Sequence, residues 1–272
     1  MLNDITLGQF FPGNSLLHKL DPRAKIIFTI LYIVIIFSAK NPFSLAVAAI
    51  LAVSLTALSR INIKTILKSM KPILFIMVFT AVMNIFWTPG ENVLFSFGKI
   101  TVYYEGVRFA VMMVIRLVLL ITGTFVILTY TTSPVALTDA IERLTSPLSK
   151  IGVPTHEFAM MMSIALRFIP TLIEETDKII CAQKARGADF ETGSLLKRAK
   201  ALIPILIPLF ISSFRRADEL ASAMECRLYH GGNGRTRMKV LKLSARDYMT
   251  SLAFAATLAL IIFLNTRFEA IL

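Results

Sequence analysis

The sequence predicts an all-α, polytopic membrane protein of about five transmembrane helices, with a charged helical region between the fourth and the fifth. Three observations predict it. Hydrophobic residues fill 56% of the 272 positions, mean hydropathy is +0.70 and charged residues reach only 17%, where an ordinary soluble domain carries about 25% charged. Apolar runs recur at lengths suited to helices crossing a bilayer. Between residues 154 and 237, two long patterns set apolar residues at helical spacing against a charged side.

Residues 8–25 read as a short lead outside the membrane, turning at Pro12 and Gly13. Asp21 as N-cap and Pro22 at the first helical position then start a helix. Asp4, Pro12, Gly13, Asp21 and Pro22 lie where a cleavable leader would need its apolar core, so targeting is assigned to the first membrane helix. That span is Lys25 to Ala39, short enough that Arg23 and Lys25 are expected to snorkel at one end. Asn41 and Pro42 make the turn at its other end, and Phe43 to Leu58 returns. Residues 60–71 read as a linker carrying Arg60, Lys64, Lys68 and Lys71 without an acid, and Pro72 to Trp87 is the third span. An outer loop over 88–106, with Pro89, Gly90, Glu91, Lys99, Tyr103, Tyr104 and Glu105, precedes the fourth span, Val107 to Thr129, which contains Arg116.

A helix from Pro134 to Lys150 follows. The first long pattern runs from residue 154 to Ala185, Arg186 and Gly187. The second runs from Leu195 to Leu228 through Glu225, Cys226 and Arg227, about 50 Å at ~1.5 Å per residue. Prolines at 134, 147, 154, 170, 204 and 208 predict kinks in this region. Tyr248 to Asn265 closes the chain as the last span. The domain reading is therefore 1–130 as a membrane domain of four spans, 131–247 as cytoplasmic helices, and 248–272 as a C-terminal transmembrane helix.

The formal charge is +12, and its placement says why. Of the 29 Lys and Arg, all but Lys40, Lys99, Arg108, Arg116 and Arg267 fall in the lead, the 60–71 segment or residues 131–247. Under the positive-inside rule those parts are cytoplasmic, with the N-terminus inside and the C-terminus outside. The basic surplus is thus a topology signal, and no nucleic-acid partner is needed to explain it. Cys181 and Cys226 have no metal-ligand spacing, and neither a disulfide framework nor a zinc site is indicated.

Catalytic patterns are incomplete. His156 and Glu157 open like H-E-x-x-H, but Met160 stands where the second histidine is required, leaving a solvated histidine at a helix start. Gly231, Gly232, Asn233 and Gly234 have neither a preceding strand nor a following Lys-Ser/Thr, and read as a basic turn and not a phosphate cradle. Metals and cofactors are expected to be none. Arg116 is costly at membrane depth and reads as a structural intramembrane charge bonded to backbone carbonyls, with a transport role as the alternative. The two arginine-bearing helix ends have an ordinary reading as caps facing the helix dipole. Their second reading is as docking tips, because guanidinium offers a planar fork of donors.

Taken together, GQFFPGNSLLHKLDPRAK at 8–25, SIALRFIPTL at 163–172 and QKARGADF at 183–190 resemble the transmembrane T components of energy-coupling factor transporters, vitamin importers of the ABC superfamily. The resemblance covers essentially the whole chain. Around Arg227 the family's usual small flanking residues are replaced by Cys226 and Leu228. The resemblance implies a non-catalytic membrane scaffold working with two ABC ATPase subunits and an exchangeable substrate-binding membrane subunit. Ala185, Arg186, Gly187 and Glu225, Cys226, Arg227 would then dock the ATPases. Apolar faces bearing Met160, Met161, Met162 and Ile164, and Ile205, Leu206, Leu209 and Phe210, are expected either to touch the substrate-binding subunit or to pack as core. The alternatives are a conventional ABC permease that binds its own solute, and an intramembrane enzyme.

Overall fold

A capping residue followed by proline opens each of the first two helices. In the computed structural model, which describes residues 10–90, 92–97, 100–190, 194–231 and 241–267, α1 (Pro22–Ser38) starts where the Asp21 carboxylate accepts the Arg23 N–H. α2 (Pro42–Ser59) starts at Asn41, whose N–H donates to Ser44 Oγ at 3.0 Å in a capping box. It ends at Arg60, whose backbone is left-handed at φ 56°. α3 (Ile63–Trp87) follows at once, with Asn62 accepting the Lys64 N–H.

The 60–71 segment is therefore a helix start and not a linker. Pro72 lies inside α3, where membrane helices tolerate it because neighbouring groups re-satisfy the freed carbonyl. Residues 92–103 also differ from the expected loop. β1 (Val93–Phe97) pairs antiparallel with β2 (Ile100–Tyr103), Val93 opposite Tyr103 and Phe97 opposite Ile100. The β-branched and aromatic residues of this stretch favour a strand once two copies can pair. Glu91 and Lys99 lie outside the described residues, as do Gly8 and Gln9 of the lead.

α4 (Tyr104–Thr124) continues as a π turn over Phe125–Thr129, closed by the Tyr130 N–H donating to Phe125 O at 2.9 Å. After it come α5 (Pro134–Thr145), a 3-10 segment (Ser146–Ile151), α6 (Thr155–Ala185), α7 (Leu195–Cys226) and α8 (Ala245–Arg267). Pro147, which lacks an N–H, accounts for the change from α to 3-10 geometry before Lys150. α6 and α7 remain continuous helices through Pro170, Pro204 and Pro208.

The described residues fall into two units: 10–133 with 241–267, and 134–231. The first is the apolar bundle. Tyr32, Ile35 and Ile36 of α1 are fully buried among Leu51, Ala52 and Leu55 of α2, Val126 and Ile127 of the π turn, and Phe254 and Ile261 of α8. Phe28 stacks on Phe254 at 5.2 Å. Tyr32 reaches α4, its hydroxyl donating to Leu119 O at 2.7 Å, and a β-carbon at Gly123 would overlap its ring.

By length and composition five helices among the described residues can cross a membrane: α2, α3, α4 with its π turn, α6 and α8. This set differs from the five expected spans at one position. α1, at 17 residues, is only about 26 Å long, shorter than the ~30 Å hydrocarbon core. α6 qualifies through its apolar first half, whereas Glu174, Glu175, Asp177 and Lys178 make its second half too costly to place in hydrocarbon.

Candidate functional site

The two arginine-bearing helix ends share one geometry, residue for residue. At the end of α6 the Gly187 N–H donates to Lys184 O at 3.0 Å and the Ala188 N–H to Gln183 O at 3.0 Å, with Gly187 at φ 85°. At the end of α7 the Leu228 N–H donates to Glu225 O at 2.9 Å and the Tyr229 N–H to Met224 O at 3.1 Å, with Leu228 at φ 54°. Both are Schellman closures. In each the arginine, Arg186 or Arg227, is the C-cap. Ala185 and Cys226 occupy equivalent last-helical positions, and Glu225 matches Lys184. A leucine has thus adopted the left-handed turn that glycine takes without strain. Both arginines are exposed, and neither guanidinium has a hydrogen bond or ion pair among the described residues.

The helices bearing these ends are clasped together. Glu175 of α6 accepts a hydrogen bond from Ser212 Oγ of α7 and pairs with Arg216 Nη2 at 2.9 Å. The Ser212 hydroxyl, and then the Arg216 charge, hold the Glu175 carboxyl below the usual carboxylate range.

On α7, Leu206, Leu209 and Phe210 line one apolar hollow of about 470 Å³, with Phe210 65% exposed. Ile205, expected on the same face, is instead buried at 5% exposure and is not among the residues that line that hollow. The methionines divide as well. Met161 and Met162 are both exposed, but only Met162 also lines a cavity between α5 and α6, with Ile141, Leu148, Phe158 and Ala159. His156 stands near this cavity and is not merely solvated: its Nδ1 pairs with Glu142 Oε1 of α5 at 2.8 Å. Gly232, Asn233 and Gly234 lie outside the described residues.

Arg116 sits where the bundle needs a donor. Its Nη2 donates to Ala39 O, and Asn265 Nδ2 of α8 donates to Ser38 O at 2.6 Å. Ala39 is 0% exposed, so its carbonyl is shut away from water, and the two carbonyls that end α1 are met by side chains of α4 and α8.

A second polar cluster was not legible as a unit. Lys25, expected to snorkel, is 2% exposed and donates to Thr131 O at 2.8 Å. Arg23 pairs with Asp21 at 3.0 Å and donates to Leu241 O. Asp247 accepts the Asp21 N–H at 3.0 Å and the Ser244 N–H at 2.7 Å. The run Leu20–Lys25 thereby fastens α1 to the segments that end α4 and begin α8. Lys25 turns inward because polar partners await it there. The lysine and the carboxylate lie 222 residues apart in the chain, so no local spacing announces them. Among the described residues no group of three or more His, Cys, Asp or Glu could hold a metal ion.

Comparison with known proteins identifies the family of the chain. The family model of the cobalt transport protein CbiQ matches residues 13–240. The energy-coupling factor transporter transmembrane protein EcfT of Clostridium kluyveri is 56% identical over 256 residues, 93% of each chain. Those of Acidaminococcus fermentans and Bacillus subtilis are 52% and 42% identical, covering 97% of this chain and 98% and 100% of theirs. On that extent of match the chain belongs to the family of energy-coupling factor transporter transmembrane proteins, as a multi-pass, non-catalytic subunit in membrane transport.

Proposed function

We propose that Arg186 and Arg227 each anchor one of two ABC ATPase subunits, on the cytoplasmic side of the cell membrane. The twin Schellman closures carry this reading. They give two exposed, unpartnered guanidinium groups the same backbone frame, which suits two equivalent grooves on paired subunits. Ala185, Gly187, Glu225 and Cys226 shape the two contact surfaces around the arginines. α6 and α7, clasped through Glu175, act as coupling helices. The α7 hollow at Leu206, Leu209 and Phe210, with Met161 and Met162 on α6, receives an exchangeable substrate-binding membrane subunit. Nucleotide-driven closure of the ATPases is thereby transmitted to uptake of a vitamin or trace nutrient, while residues 1–130 and 248–272 anchor the chain in the bilayer.

The test is recovery of the ATPase subunits with this chain from detergent extracts. Each single reversal, Arg186→Glu or Arg227→Glu, should sharply reduce recovery, and the pair together should abolish it, with membrane insertion unchanged. Wild-type recovery by the doubly reversed chain refutes the proposal.

A further inference from the structure

The lead folds over the turn between α2 and α3, and the hollow left between them has a composition that the transport reading does not use. Phe11 ties the lead down, its N–H donating to Tyr130 O at 3.1 Å and its ring meeting Tyr130 edge-on at 5.7 Å. The hollow encloses about 250 Å³ and is walled by Asn14, Ser15 and His18 on one side and by Arg60, Asn62 and Thr65 on the other. Among the described residues no carboxylate lines it. His18 is wall and not ligand, since Nδ1 meets Ser15 Oγ at 2.6 Å and Nε2 meets Phe11 O at 2.9 Å.

Arg60 is different. Its guanidinium has no partner among the described residues, and its backbone is left-handed, a conformation in which glycine would be relaxed. An arginine held there at a cost in backbone strain points to a use for the side chain. Lys64, Lys68 and Lys71 follow along α3, with no acid between residues 60 and 71, and the start of α3 adds the positive end of a helix dipole. The turn joins two helices long and apolar enough to cross a membrane, which puts it at a bilayer surface. Apolar shoulders flank the polar hollow: Phe11, Leu16 and Ile63 are 44%, 55% and 65% exposed.

We propose that this hollow binds the phosphate headgroup of an anionic phospholipid, with Arg60 as the principal donor and the apolar shoulders against the acyl chains. A free phosphate ion would meet the same donors but would make no use of the shoulders.

The experiment uses the full chain in detergent, with phosphatidylglycerol, phosphatidylcholine or inorganic phosphate added and lipid retention read by native mass spectrometry. Phosphatidylglycerol should be retained about fivefold better than phosphatidylcholine, the change expected of one basic group near an anionic lipid. Arg60→Asn, a residue that tolerates the left-handed turn, should erase that preference. Arg60→Gly, which relaxes the same backbone, should do likewise, and Lys150→Gln should leave the preference intact. Equal retention of the two lipids, or an unchanged preference in both Arg60 variants, overturns the proposal. Displacement of phosphatidylglycerol by millimolar inorganic phosphate assigns the site to a soluble anion and overturns the lipid reading.

Discussion

Replacing Arg116 by leucine should make α4 easier to insert and the finished bundle harder to keep folded, two effects of opposite sign. On insertion, an arginine near the centre of a span costs about 3 kcal/mol on translocon-based scales, so Arg116→Leu removes a penalty of that order. In the folded bundle the same change strips Ala39 O of its donor. Ala39 is fully buried, so no water can replace the lost bond, and an unsatisfied buried acceptor costs roughly 1–3 kcal/mol. The neighbouring carbonyl, Ser38 O, keeps Asn265, which limits the loss to one group. Arg116→Leu should therefore improve apparent insertion of the isolated α4 segment while lowering the melting temperature of the purified chain by several degrees. Asn265→Leu should lower it too. The double variant should lose less than the sum, because the two side chains hold the same turn. An Arg116→Leu protein that melts at or above the wild type refutes this account of the arginine.

The matched helix ends predict opposite outcomes at equivalent positions. Leu228→Gly should stabilise the second closure by about 1 kcal/mol, the left-handed penalty less the added freedom of the unfolded chain, whereas Gly187→Ala should destabilise the first by a similar amount; thermal melting checks both. Gly123→Ala drives a methyl into the Tyr32 ring and should cost about 1–3 kcal/mol through overpacking, a loss that Tyr32→Leu should partly rescue. The Glu175 carboxyl titrates below its unfolded value, so its contribution is present above the ordinary carboxylate range and is lost as pH falls through the lowered value. The melting difference between wild type and Glu175→Gln should accordingly be full at neutral pH and vanish in strong acid; a difference that grows on acidification contradicts the sign.

Local chemistry made much of this fold readable. Asp21–Pro22 and Asn41–Pro42 announce helix starts within the sequence itself, and Ala185–Arg186–Gly187 announces an end, because caps and the proline φ act over a few residues. What escaped depends on partners far along the chain. Lys25 looked like a snorkelling lysine because its acceptor, Thr131 O, is 106 residues away. The strands at 93–103 are too short to show clear alternation until they pair. Leu228 gave no sign of a left-handed turn, because only the hydrogen bonds of the closure force it there. Residues 60–71 misled in a different way: clustered charge and Pro72 looked like a break, yet Lys64, Lys68 and Lys71 share one face of α3. At the candidate site the arginines were visible in the sequence, and their structural equivalence was not.

The pairing of Asp247 with the Asp21 amide across 226 residues also constrains biosynthesis. α1 is synthesised long before α8, so nascent chains expose the Asp21 amide without its acceptor until Asp247 has been made. Premature termination anywhere upstream leaves that amide, the Arg23 contact to Leu241 O and the Asn265 bond to Ser38 O unmade together. Chains cut short before α8 should consequently hold both ends of α1 less firmly than the full bundle does.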